Sequence, residues 1–183
     1  MKQEAQEHQQ SDKFTVTIFP QSSWTEQTLV KVNKPFPIAI KIRNISLEPI
    51  WIVGVLDGSE VGVRFPRYIP KIEGPGYQQL IPEWPEMTAP IRASDFIELQ
   101  PGESFDPTQP ASGRAYLPLI AFRDFTPTTT GTYRISLTLS TDSANEKGWL
   151  GSLPNFDKAP VSSYIYKVPH ITVISNLLTF TVL

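Results

Sequence analysis

The pattern of apolar and polar positions along the chain changes character at Phe14. From there "FTVTIF" sets Phe14, Val16 and Ile18 on one face and Thr15 and Thr17 on the other, the period of two of a half-buried strand. "TLVKVN" continues in that style. In "PFPIAIKIRNIS", Ile38, Ile40 and Ile42 alternate with Ala39, Lys41 and Arg43, and Asn44 and Ser46 close the run. "PIWIVGV", from Pro49, is apolar on both faces and predicts a covered strand with Trp51 in the core. Over residues 57–94 the alternation lapses among prolines and glycines. That stretch predicts a long ordered excursion with one or two short edge strands, around Val61 to Phe65 and Tyr68 to Ile72.

Strands resume at "DFIELQPGESF", where Pro101 and Gly102 suit the central positions of a type II turn. "AYLPLIAF" extends this strand-rich region. In "TGTYRISLTLS" Tyr133, Ile135, Leu137 and Leu139 face inward, and Arg134, Ser136, Thr138 and Ser140 face out. A second excursion covers 142–168. "HITVISNLLTFTVL" then predicts two short strands, or one broken at Ser175 and Asn176. Residues 1–13 are polar apart from Ala5 and Met1 and are expected to form a disordered tail. The expectation is one all-β domain over 14–183, an antiparallel β-sandwich of about seven to nine strands with two long loop excursions.

A strand entered through Gly-Thr-Tyr raises a specific possibility. Gly131 lets the backbone turn, the Tyr133 ring supplies apolar area, and its phenol can satisfy a polar group at the corner. The plainer alternative is that Tyr133 is simply a good strand residue. The former arrangement resembles the tyrosine corner of immunoglobulin-like sandwiches, which implies a bond from the Tyr133 hydroxyl to backbone a few residues upstream. Together with "IKIRNISLEPIWI" and "IELQPGESF", it makes about half of the chain similar to bacterial immunoglobulin-like modules, distantly including intracellular proteinase-inhibitor-type domains. The resemblance implies an immunoglobulin-like sandwich. No inhibitory loop can be matched residue by residue, so it carries the fold further than it carries inhibition.

Composition narrows the chemistry. A chain of 183 residues suits one core, and its 18 prolines suit shaped loops. A net charge of −2 with no Lys/Arg cluster argues against a nucleic-acid partner. With no cysteine there is no disulfide, thiolate metal site or cysteine nucleophile. No apolar stretch has the length of a membrane span. The compartment stays open: cytoplasmic if Met1 is native, extracytoplasmic if a signal peptide has been removed.

No catalytic set, metal site or cofactor is expected. Only His8 and His170 are present, and neither has a partner at ligand spacing. The carboxylates fall in groups, Asp57 with Glu60, Asp95 with Glu98, Glu103 and Asp106, and Asp142 with Glu146, and read as solvated loop residues. "NIS" at Asn44 matches a glycosylation acceptor, but at a strand end Asn44 reads as a turn residue bonding local backbone. The loop aromatics Tyr77, Trp84, Trp149 and Phe156 remain. They either anchor a ligand or plug the excursions onto the domain. The function expected is a non-catalytic interaction or accessory module for a protein or carbohydrate partner. The alternatives are a proteinase inhibitor and, more distantly, a carboxylate-based glycosidase or carbohydrate-binding domain. If both excursions leave one end of the domain, Trp84 and Trp149 should each show an exposed ring on a shared surface.

Overall fold

The computed structural model describes residues 11–21, 30–78, 86–109, 116–154 and 161–183. The tail expected over 1–13 therefore lies almost wholly outside the described residues. The described chain is all-β, with nine strands whose ladders are all antiparallel. Strand β1 (Phe14–Pro20) pairs with β2 (Ile38–Asn44), and β2 with β6 (Ser104–Phe105). Strand β3 (Ile50–Val53) pairs with β5 (Phe96–Leu99). Strand β4 (Arg67–Glu73) lies along one edge of β7 (Gly131–Ser140), and β8 (Thr172–Ile174) and β9 (Leu178–Val182) share the other.

The alternation read in the sequence is the alternation of burial. Phe14, Val16 and Ile18 of β1, Ile38, Ile40 and Ile42 of β2, and Tyr133, Ile135, Leu137 and Leu139 of β7 enter one core. All four inward residues of β7 are completely enclosed, each contributing roughly 1.5–3 kcal/mol of apolar burial. Gly102 adopts φ +81° and Glu103 N–H donates to the Gln100 carbonyl at 3.0 Å, closing the turn expected at "QPGE".

Two segments differ from their sequence reading. "RYIPKIE" forms a full seven-residue strand rather than a short piece, and Tyr68, Pro70 and Ile72 all point inward. Pro70 is tolerated because, among the described residues, β4 pairs with β7 alone and so forms a sheet edge. "AYLPLIAF" is not a strand: after an irregular stretch it forms the short helix α1 (Ile120–Arg123). The Glu60 carboxylate accepts the Ile120 and Ala121 N–H groups, each at 2.8 Å, and so satisfies two donors that a first helical turn leaves open.

Side-chain amides join the sheets. Asn44, fully buried, donates to the Glu48 and Leu99 carbonyls at 2.9 Å and accepts from Ser46 N–H and Oγ. Both amide protons are thus engaged, which fits the turn role and not a glycan acceptor. The break between β8 and β9 falls at Ser175 and Asn176, as the sequence suggests. Ser175 bonds both backbone groups of Leu137, while Asn176 accepts from Ile18 N–H at 2.8 Å and donates to its carbonyl at 3.1 Å. Trp51 is only half-buried, not core. It lies against Tyr164 with ring centroids 5.2 Å apart, and the Lys167 ammonium sits 4.9 Å from its ring.

The Tyr133 hydroxyl lies 3.0 Å from the carbonyls of both Thr129 and Pro75. The first of these is the upstream backbone bond anticipated from "TTTGTY". Gly131 precedes it with φ +131°, and a side chain there would meet Pro75 at 2.7 Å.

Candidate functional site: a cleft beside the junction of the two excursions

The register of β4 on β7 decides where the excursions lie. Arg67 pairs with Ser140 at one end of that ladder and Glu73 with Arg134 at the other. The chain entering β4 from residues 57–66 and the chain leaving β7 into 141–154 therefore share one end. Tyr77, four residues beyond Glu73, lies at the opposite end, about 20 Å away at the usual rise per strand residue.

The two excursions are stitched together where they meet. Phe65 N–H donates to the Gly148 carbonyl at 2.7 Å. Thr88 N–H donates to Ser152 Oγ at 2.7 Å, Ser152 N–H returns to Thr88 Oγ1 at 2.9 Å, and Leu153 N–H reaches the Thr88 carbonyl at 3.1 Å. Beneath them lies a second apolar core holding Val53, Leu56, Phe65, Ile91, Phe96 and Trp149. Trp149 is 0% exposed, packs 5.8 Å from Phe65 and donates its indole N–H to the Ser143 carbonyl at 2.8 Å. It offers no exposed ring and serves as a plug.

The shared aromatic surface is thus not assembled as expected. Trp149 is enclosed, Tyr77 sits half-buried against Phe125 at the far end of the β4–β7 ladder, and Trp84 and Phe156 lie outside the described residues.

Beside the junction, walled by the first excursion and Leu117, lies a cleft of about 430 Å³ between Leu56, Pro90 and Leu117, with Asp57, Arg64, Arg92 and Asp95 in its lining. Arg64 is its keystone. Only 2% exposed, it donates from Nη1 to Asp57 Oδ1 at 3.1 Å and to the Ala89 carbonyl, and from Nη2 to the Trp149 carbonyl at 2.8 Å. One guanidinium thereby binds three strips of chain. Its Nε is enclosed and finds no hydrogen-bond partner among the described residues. Burial lowers the Arg64 pKa, and Asp57 opposes that shift. The second Asp57 oxygen accepts from Ala89 N–H at 2.6 Å.

The other pair is local. Arg92 Nη2 meets Asp95 Oδ1 at 2.9 Å, and Asp95 Oδ2 accepts from Arg92 N–H at 2.8 Å. Tyr116 donates its hydroxyl to the Asp95 carbonyl, fixing the strip that carries Leu117. Asp57, Glu60 and Asp95 are therefore not the solvated loop carboxylates expected. Each holds backbone in place, because the excursions need acceptors for amides that no strand satisfies. Elsewhere, His170 is half-buried with Nε2 3.3 Å from the Ile165 carbonyl. Among the described residues no group of three or more His, Asp or Glu side chains is placed to hold a metal ion, and no helix is long and apolar enough to cross a membrane.

Arg64, Arg92, Leu56 and Leu117 were not singled out by the sequence. The only signal for Arg64 is one cation in the apolar run "VGVRF". No family model matches the chain, and neither a curated protein nor a solved structure does.

Proposed function

We propose that the chain is a non-catalytic binding module on an immunoglobulin-like β-sandwich, and that it engages a protein partner through the cleft walled by its first excursion and Leu117. The sandwich reading is supported by the shared core of the β1–β2–β6 and β4–β7–β8 sheets and by the Tyr133–Thr129 hydrogen bond. The binding reading rests on one observation above all: a cleft of ligand size held open by a buried arginine that ties three strips of loop. Loops fixed in this way lose little conformational freedom when a partner docks. Its carboxylates are already committed to arginines and backbone amides, an arrangement suited to shaping a surface rather than to shuttling protons.

Panning the immobilised chain against a displayed random-peptide library tests this reading. Saturable peptides that lose binding when Leu117, an exposed cleft residue, is changed to arginine are the expected result. No enrichment over bare matrix would overturn the reading.

A further inference from the structure

We infer that the cleft accepts an uncharged apolar side chain presented on a peptide backbone; this rests on the binding-module reading and adds the chemical class of the ligand. The charge balance carries the argument. The four ionic side chains in the lining, Arg64, Arg92, Asp57 and Asp95, form two pairs that sum to zero. A charged guest would bring an uncompensated charge against apolar walls, which costs far more than an uncharged one. The walls themselves come from Leu56, Pro90 and Leu117.

The surroundings select a chain segment over a small apolar molecule. Met87 is 63% exposed, and Leu150 and Leu153 are each 40% exposed. Residues 87–89 run beside 151–153 through the Thr88–Ser152 and Leu153–Thr88 bonds, so Met87 and Leu153 sit on the strip of chain that leads into the Ala89–Pro90 wall. A guest filling only the cleft would leave Met87 and Leu153 bare. A peptide with one apolar anchor in the cleft and neighbouring residues on that strip covers both.

The experiment uses methyl-labelled full chain and blocked hexapeptides with a central leucine, phenylalanine, aspartate, lysine or alanine. N-acetyl-leucine N-methylamide and free isovalerate serve as small probes. The leucine or phenylalanine peptide should shift the Leu56 and Leu117 methyl signals saturably. Alanine, aspartate or lysine at the anchor should weaken binding roughly ten-fold or more, the worth of one buried large side chain. Leu117→Arg, at an exposed position, should abolish the shifts in a chain that still folds.

Tighter binding of the aspartate peptide or isovalerate would overturn the inference in favour of an anion site. Equal affinity of the small amide and the hexapeptide would overturn the peptide class. If concentration alone shifts these methyls, the occupant is a second copy and the inference fails. If library-selected peptides bind without moving them, the inference fails while the binding-module reading survives.

Discussion

Replacing Arg64 with methionine removes three hydrogen bonds from one charged donor while keeping much of the side-chain volume. Hydrogen bonds involving an ion are worth roughly 1.5–3 kcal/mol each, so the gross loss is large. Three effects reduce it. The guanidinium no longer bears its burial penalty, which already lowers its pKa. Asp57, 28% exposed, regains solvent, and the carbonyl of the exposed residue Ala89 does so in part. The Trp149 carbonyl, over a fully enclosed ring, recovers least. The net destabilisation should be about 2–4 kcal/mol, a fall in Tm of about 4–16 °C for a domain of this size. Urea unfolding of Arg64→Met, Asp57→Asn and the double variant measures it. The double variant should be more stable than the sum of the singles implies, because both changes break one pair. A loss under about 1 kcal/mol for Arg64→Met, or strict additivity with Asp57→Asn, would refute the keystone role.

Tyr133→Phe leaves two carbonyls without their shared donor and should cost about 1–2 kcal/mol by denaturant midpoint. Asn44→Ala removes two donated and two accepted bonds from a fully buried site and should cost at least about 3 kcal/mol, read by calorimetry. Burial raises the Glu60 pKa above its usual 4.5, against the opposing bonds from Ala121 and Ile120. The folded state therefore holds the proton more tightly, so this group's contribution to stability is full below the unfolded pKa and is lost as pH rises through the folded one. Stability measured across that range should show the margin of the parent chain over Glu60→Gln narrowing as pH increases; a constant margin would contradict the burial.

Much of the fold was legible because strand burial has a period of two. In β2 and β7 the alternating isoleucines, leucines and Tyr133 state which face is inward. The polar dipeptide Ser175–Asn176 marked its break because it interrupts an apolar run, and those residues now bond neighbouring strands. Strand β4 was obscured by Pro70, which is excluded from central strands but not from an edge. Helix α1 has only four residues and depends on Glu60, 60 positions earlier for Ile120. Such a partner leaves no local trace.

The site was harder to read for the same reason. Arg64 bonds Ala89 and Trp149 at separations of 25 and 85 residues, and an arginine with distant partners looks like a surface cation in sequence. Trp149, among glycine, lysine and leucine, reads alike whether plug or anchor. Only the register of Arg67 with Ser140 brings its loop against Phe65 and encloses it.

The central claim is that binding takes place at the cleft of the first excursion, beside its junction with the second. Hydrogen exchange on the full chain, with and without a saturating library-selected peptide, tests it most directly. Slowed exchange should concentrate at residues 56–57, 89–92 and 116–117, the strips around the Arg64 guanidinium. Protection confined to 76–78 and 124–128, around Tyr77 at the other end of the β4–β7 ladder, would contradict it.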